Sequence, residues 1–476
     1  MSKPDEPQAA DTDLEQALAE LRAACRRDPY PDLASRRRRL DALAGLLQSH
    51  AEAIAQAIDA DFGHRSHSET RLAELFPARQ GLLHARRRLA RWMRARRRAT
   101  GFWFLPATNR VLAQPLGVVG IVVPWNYPLY LAIGPLTAAL AAGNRAMLKM
   151  SEYTPRTGAL LQQLLESCLG RDVVRVVNGG PQRAAAFCRL PFDHLLFTGS
   201  TAVGREVMRA AADTLTPLTL ELGGKSPAIV ATDADLKRAA AALVAGKLLN
   251  AGQTCIAPDY VLVDADRVDA LAEALIARAH AAYPTLAGNP DYSAIAQPRH
   301  FQRLIEWREH ARAAGARVLD AAVPDAAATA ERKLGLTLVL DCPDHCRLMH
   351  EEIFGPILPI VGCRDFDAAL DYVNARPRPL ALYLFSDDAD RIARTVRETV
   401  SGGVCVNETL LHIAQDDLPF GGVGDSGYGQ YHGHEGFLRL SLLKPVFVQS
   451  RFSGVSLLRP PYGRRARLLL RWMLGE

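Results

Sequence analysis

The chain has 476 residues, too many for a single hydrophobic core, so two or three domains are expected. Hydrophobic residues at 49% and charged residues at 23% are the proportions of an ordinary globular protein, and no apolar run approaches the ~18 residues of a membrane span. The net charge of +6 is modest, and the arginine runs at 36–39, 86–88 and 94–98 carry neither interleaved aromatics nor a nucleic-acid-binding module. They read as solvated helix faces, which excludes nucleic acid as a partner. Eight scattered cysteines with no secretory signal read as free thiols in a reducing, cytoplasmic compartment. Cys342-Pro-Asp-His345-Cys346 looks like half a metal site without its second pair, so no metal is expected.

In chain order, the first ten residues are polar and read as disordered. Asp11-Thr12-Asp13 then offers an N-cap to a helix carrying Leu14, Leu18 and Leu21 on one face. A second helix is expected from Asp32 through Ile58 and a third from Glu69 to Arg98, each with a one-sided apolar stripe that must pack on something else. Phe102 to Gln114 breaks the helical period and reads as an extended hairpin. From Val118 short β-branched runs alternate with amphipathic helices. Strands are expected at 118–123, 146–149, 173–177 and 194–198, with helices at 129–142, 155–169, 182–189 and 202–213. Strands buried on both faces imply a doubly wound parallel sheet, and nucleotides bind such sheets beyond the carboxyl ends of the strands. A second α/β segment follows Gly224, with strands near 228–230, 260–263, 336–340, 358–361 and 381–385 and a last helix ending near Glu398. The stretch 288–328 shows no clear order, and no internal repeat is visible.

The residues with chemical potential sit in the loops of this pattern. Gly252-Gln253-Thr254-Cys255-Ile256-Ala257-Pro258 holds one thiol between a glycine turn and a proline, where dipole ends facing it would lower its pKa. A lone loop cysteine is commonly an inert buried thiol. Upstream, however, Glu221-Leu-Gly-Gly-Lys225 sets a carboxylate in apolar surroundings, the start of a nucleophile-and-base pair. Pro124-Trp125-Asn126-Tyr127-Pro128 is a stiff turn able to aim the Asn126 amide at an oxyanion, or simply to satisfy itself. Lys149 and Glu152 at a strand end could hold ribose hydroxyls or form a surface ion pair. Gly199, Ser200 and Gly204 frame a strand-to-helix turn suited to a pyrophosphate, although the spacing is not the GxGxxG fingerprint. Glu352 and Phe354 could offer a second ribose ligand and a ring for a nicotinamide, or be a solvated glutamate and a loop-closing hydrophobe. The apolar, glycine-rich 418–424 could line a substrate channel or make a structural turn.

Taken together these pieces resemble the aldehyde dehydrogenase superfamily from about Leu14 to Val448. Pro-Trp-Asn-Tyr-Pro, Lys-x-Ser-Glu, Phe-Thr-Gly-Ser-Thr, Glu-Leu-Gly-Gly-Lys-Ser-Pro, Gly-Gln-Thr-Cys and Glu-Glu-Ile-Phe-Gly-Pro appear in the family's order. Gln253 to Tyr260 is similar to the class-three branch. Ala60 to Ser66, Asn407 to Gly424 and Tyr431 to Phe437 are similar to coniferyl aldehyde dehydrogenases. Met150 replaces the proline that usually follows the lysine.

The resemblance implies an aldehyde dehydrogenase-like α/β fold with a Rossmann-type NAD(P)-binding domain at 1–100 and 115–223 and an α/β catalytic domain at 224–424. A small bridging β element at 101–114 and 425–448 and a basic C-terminal tail at 449–476 complete it. It also implies a homodimer, an NAD cofactor with some NADP use, and an aldehyde substrate that is aromatic or medium-chain aliphatic. The catalytic residues would be Cys255, Glu221 and Asn126, and the cofactor ligands Lys149, Glu152, Gly199, Ser200, Gly204, Glu352 and Phe354. A coenzyme A-acylating relative would not need Glu221, and a non-catalytic scaffold would not need the three catalytic residues together. The basic tail could lie on an anionic membrane, but capping of the substrate entrance or of a dimer partner is the preferred reading.

Overall fold

The computed structural model describes residues 6–476. Its framework is three sheets. The first has six strands in the order Gly427–Tyr428, Leu218–Leu222, His194–Gly199, Val118–Val122, Arg145–Lys149 and Val174–Val177, all parallel except the two-residue edge strand. Its inner strands are buried on both faces, so they read as continuous apolar runs rather than alternating ones. Helices cover both faces. Tyr130–Ala142, apolar nearly all round, is almost wholly buried. Leu14, Leu18 and Leu21 of the first helix pack with Val118, Phe187 and Phe192.

The second sheet has seven strands, ordered Arg317–Asp320, Thr337–Leu340, Ile357–Cys363, Tyr260–Asp264, Pro227–Val230, Ala381–Phe385 and Gly403–Val406. All pair in parallel except the first. The third sheet is antiparallel and joins distant parts of the chain: Arg96–Arg98, Thr108–Pro115 and Ser441–Val448.

Register aligns the functional loops along one edge of the first sheet. Val122 sits opposite both Lys149 and Phe197, and Thr198 sits opposite Glu221. The turn after Val122, the lysine, the Gly199 turn and the carboxylate therefore emerge side by side at carboxyl strand ends.

Several expectations need correction. The first helix covers Glu6–Arg27, so Asp11-Thr12-Asp13 lies inside it rather than at its start, while residues 1–5 of the stretch read as disordered lie outside the described residues. The second predicted helix is two, Leu33–Ser49 and Ala51–Phe62, broken at His50; the apolar stripe runs through the break and hides it. The third runs helically from His67 to Trp92, with a π-helical segment at Arg71–Leu75, and stops before the predicted end at Arg98. Arg96–Arg98 is an exposed strand, made by backbone pairing with Asn109–Val111 that no hydrophobic pattern announces. The hairpin foreseen within 102–114 instead closes on Arg96–Arg98, with Phe102–Phe104 as a 3-10 turn at its tip. Gly427–Tyr428, assigned to the bridging element, pairs in the first sheet. The unordered stretch contains the helix Pro298–Ala313 and the strand Arg317–Asp320.

The edge strand shows why glycine is required at one point. Gly427 has φ +122°, and a Cβ there would overlap the Leu220 carbonyl, one residue from Glu221. Gly427→Ala should therefore destabilise the protein by about 1–3 kcal/mol in urea unfolding and lower turnover, because the strand holding Glu221 must shift.

Candidate active site

Glu221 stands on a strand whose five residues are all buried. Its side chain is 3% exposed, and neither carboxylate oxygen has a hydrogen-bond partner. Burial alone holds its pKa well above the usual carboxylate range. An unpaired buried acid is costly, and this one is kept at the wall of a cavity.

Cys255 follows a 3-10 turn, Leu249–Gly252, in which Asn250, Ala251 and Gly252 all have positive φ (55°, 50° and 76°). Asparagine and glycine tolerate that region; alanine there is strained and has to be held. Buried side-chain amides hold it. Gln253 Nε2 donates to the carbonyls of Asn250 (2.9 Å) and Ala294 (3.0 Å), and its Oε1 accepts from Ala296 N (2.9 Å). Asn250 Nδ2 donates to the Asn126 carbonyl (3.1 Å) and to the Gln253 carbonyl (3.2 Å). The Thr254 hydroxyl meets the Tyr127 hydroxyl at 2.6 Å. The Asn126 amide Nδ2 donates to the Gln253 carbonyl at 3.2 Å, which turns it toward the cysteine loop.

The expected lowering of the Cys255 pKa is not what the structure shows. Burial first, then the fields of Glu352 and Glu221, push the thiol up to about 12; its own N–H and that of Ile256 act in the expected direction but are outweighed. At rest this thiol is held in its protonated form.

A cavity of about 930 Å³ connects these groups to the cofactor residues. Cys255, Glu221, Asn126, Lys149, Glu152, Gly199, Ser200, Glu352 and Phe354 all line it. Gly204 does not. It lies inside the helix Thr201–Ala212, where a Cβ would come within 2.7 Å of Leu222 Cδ2, so it serves close helix–strand packing. Lys149 Nζ donates to the carbonyls of Met150 and Gly179, both at 2.7 Å. Ser200 caps the helix through its hydroxyl, which accepts from Val203 N at 3.4 Å. The Glu352 carboxylate occupies the space a side chain at Gly223 would fill, and burial followed by the Asp259 charge pushes its pKa up to about 8. Phe354, at φ +51°, sets its ring edge-on to Trp125 at 5.5 Å. A dinucleotide fits this wall. Buried polar atoms of Thr198, Glu221 and Glu352 are unpartnered there, and a helix N-terminus suited to a pyrophosphate opens beside them.

Sequence reading missed the residues that tie the two catalytic loops together. Arg65, 0% exposed, donates from Nη1 to the Asn126 carbonyl at 3.1 Å and stands 3.6 Å from Glu69 and 3.9 Å from Glu74. Its guanidinium lies over the rings of Phe62 and Tyr127. Glu69 accepts from Asn250 N (3.0 Å) and from the Ser293 hydroxyl (2.5 Å). Glu74 accepts from Leu129 N (2.8 Å) and Tyr130 N (3.1 Å). Arg65 lies in the loop between Phe62 and His67, within the 60–66 stretch that carried the resemblance, but no local pattern marks it as buried in a chain so rich in arginines on solvated faces.

A half-buried thiol, an unpaired carboxylate and an amide donor at a dinucleotide-sized cavity beyond a parallel sheet define an oxidoreductase of the covalent thiol kind. The aldehyde dehydrogenase family model matches residues 5–446, and the chain belongs to that family. It is an NAD(P)-dependent enzyme that oxidises an aldehyde to the acid. A Pseudomonas aeruginosa protein described as a probable coniferyl aldehyde dehydrogenase is 52% identical, covering 96% of this chain and 95% of that one. The coniferyl aldehyde dehydrogenase of Pseudomonas sp. HR199 is 44% identical, covering 97% and 96%. Among solved structures, the substrate-bound state of Staphylococcus aureus AldH superposes with a TM-score of 0.91 at 34% identity, covering 97% of this chain and 99% of that one. Among the described residues no helix is long and apolar enough to cross a membrane.

Alkylation of Cys255 in the cofactor-free protein should be slow at neutral pH. It should rise about tenfold per pH unit to pH 9 without a plateau, as peptide mass spectrometry after timed iodoacetamide treatment would report; a plateau near neutrality would contradict a thiol raised by burial. Replacing Arg65 by Gln leaves two buried carboxylates without their cation. It should cost about 3–5 kcal/mol in denaturant unfolding, far more than a surface arginine change.

Proposed function

We propose that the enzyme oxidises a coniferyl aldehyde-like aromatic aldehyde to its carboxylic acid, with Cys255 as nucleophile, Asn126 as oxyanion donor and Glu221 as the base for hydrolysis. The observation carrying this reading is that Cys255, Asn126 and the unpartnered carboxylate of Glu221 face one cavity. The resting thiol must lose its proton as Sγ adds to the aldehyde carbon, and Glu221 or Glu352 in its ionised form, the carboxylates whose fields it feels, takes that proton and passes it to solvent. The oxyanion of the thiohemiacetal is met by Asn126 Nδ2 and the Cys255 N–H, donors worth ~3 kcal/mol each in the transition state.

When bound, NAD(P)+ supplies the hydride acceptor that turns the thiohemiacetal into a thioester. Glu221, with its raised pKa, then takes a proton from the water that attacks the thioester, releasing the acid and restoring the thiol. Retention of that base supports hydrolysis over transfer to coenzyme A.

Lys149 and Glu152 are the proposed ligands of the adenosine ribose, the Gly199–Ser200 turn of the pyrophosphate, and Glu352 and Phe354 of the nicotinamide riboside. NAD is preferred over NADP in this reading. The Glu152 carboxylate lines the cavity and repels a 2′-phosphate, and Lys149 Nζ is already engaged by two carbonyls. The division into cofactor, catalytic and bridging parts belongs to the same proposal, with Arg96–Arg98 moved to the bridging sheet. A homodimer is supported by the exposed apolar residues Leu442, Leu443, Phe447 and Val448 on the edge strand of that sheet. The tail helix Arg464–Leu474, with Trp472 edge-on to Trp103 at 4.6 Å, extends that surface. A cytoplasmic setting is proposed on the eight scattered cysteines.

The aromatic substrate rests on the two coniferyl aldehyde dehydrogenase relatives. A medium-chain aliphatic aldehyde is the second reading, favoured by the apolar Leu410 and Ile413 that pack against the core.

The test is reduced-nicotinamide formation from coniferyl aldehyde and from octanal, each with NAD and NADP. Cys255→Ala should abolish it. Glu221→Gln should show one equivalent of reduced cofactor per site followed by turnover slowed on the order of 10²–10⁴-fold. In the wild type, hydrolysis-limited turnover should rise with pH through a range well above that of an ordinary carboxylate, because a base with a raised pKa gains its active, deprotonated form only there. Steady turnover by Cys255→Ala would sink the mechanism.

A further inference from the structure

Around Phe420, Tyr431 is buried and His412 and His432 are half-buried among aromatic rings, and polar atoms there lack partners. Phe420 is 5% exposed, and its ring centroid lies 5.3 Å from that of His432, 6.2 Å from His412 and 6.3 Å from Tyr431. Tyr431 is 1% exposed and its hydroxyl has no hydrogen-bond partner; neither ring nitrogen of His412 has one either. Their neighbours do better. His432 Nε2 meets the Tyr130 hydroxyl at 3.4 Å, and the Tyr383 hydroxyl donates to the Ile256 carbonyl. Leaving a buried polar atom unpaired costs about 1–3 kcal/mol. Three in one cluster call for a polar group supplied by something that binds.

The cluster adjoins the reacting centre on a side other than the cofactor cavity. Tyr383 links the two: its hydroxyl contacts the residue after Cys255, and its ring lies 6.1 Å from His412. Burial, followed by the fields of Tyr130, Glu221 and Cys255, holds the Tyr431 hydroxyl well above its ordinary range, so it lies within electrostatic reach of both catalytic groups. None of Tyr383, His412, Phe420, Tyr431 or His432 lines the cavity that holds Glu152 and Ser200.

The chemistry on offer is specific. Burial brings His412 down to about 4, so its ring is neutral under working conditions and presents one donor and one acceptor. The Tyr431 hydroxyl can do either. Phe420 and His432, stacked with an interplanar angle of 22°, add flat apolar faces. Water or an alkyl chain would use only part of this; an aromatic ring carrying a hydroxyl would use all of it.

Building on the aromatic-aldehyde reading above, we infer that His412 and Tyr431 are specificity-determining residues that bind a hydroxyl at the end of the substrate remote from its aldehyde. They select hydroxyaryl aldehydes over O-methylated or unsubstituted ones. A site built to hydrogen-bond a hydroxyl rejects the analogue lacking it, because its own polar groups are then left unpaired.

The test is the ratio of kcat/KM for coniferyl aldehyde to that for its phenol methyl ether and for cinnamaldehyde, with octanal as a general aldehyde. It is measured on the wild type, Tyr431→Phe and His412→Phe. The wild type should favour the free phenol on the order of a hundredfold. Each substitution should pull that ratio toward one, mainly through KM. Tyr431→Phe deletes a single oxygen, and the wild-type ratio needs no variant at all, so a His412→Phe protein that fails to fold does not block the test. A wild-type ratio near one, or a ratio unchanged in both variants, overturns the inference while leaving the dehydrogenase reading intact. No turnover of any of the four aldehydes by the wild type would overturn the reading on which it rests.

Discussion

The Asn126 carbonyl is where the two catalytic loops are joined. It accepts from Arg65 Nη1 and from Asn250 Nδ2, so the turn carrying Asn126 and the strained turn before Cys255 share one acceptor. Behind it, Glu69 receives the backbone N–H of Asn250, while Glu74 receives those of Leu129 and Tyr130 at the start of the buried helix. One cation and two anions in a dry interior are a poor source of net stability, because desolvation offsets their attraction. What they supply is uniqueness of geometry. Asn250 and Ala251 stay in the left-handed region only because the surroundings leave them no alternative.

The electrostatics of the site follow from the same dryness. Glu221 and Glu352 both lie where burial favours the neutral acid, and with Cys255 between their fields the thiol is kept protonated at rest. A permanently ionised thiolate would be open to oxidation and stray electrophiles. In this arrangement reactivity waits for a bound partner to change the local charge. A nicotinamide ring, positively charged when oxidised, would act in the required direction. The geometry of the oxyanion donors does not wait, since it is set by hydrogen bonds within the protein.

The division between the two sides of Cys255 is also physical. One side is a long cavity rimmed by a helix N-terminus, a lysine and three carboxylates, suited to a large polar cofactor. The other is a compact group of rings around Phe420, suited to something flat and apolar with one polar end. Hydride transfer needs both occupants to meet at the thiol.

Much of this was legible in the chain. Continuous β-branched runs from Val118 announced buried parallel strands, because only a strand covered on both faces has no polar side. The sequence also singled out Cys255, Glu221 and Asn126, each beside a local glycine or proline turn, and the structure brings all three to one cavity. Local pattern failed where partners are distant in sequence. Arg96–Arg98 became a strand through pairing with Asn109–Val111, and Gly427–Tyr428 left the bridging sheet to flank Glu221. Gly204 looked like part of a phosphate loop and proved to be a packing contact against Leu222. The thiol pKa was misjudged because motif geometry reports nearby dipoles, while desolvation depends on everything folded over the site. Arg65, Glu69, His412 and Tyr431 were invisible as a group for the same reason. The sequence by itself determined which elements form and which side chains can do chemistry, since those depend on neighbours within a few residues. Only the tertiary structure decided which charges are buried together, which polar atoms go unpaired and which loops share an acceptor, because burial and long-range contact are properties of the assembled fold.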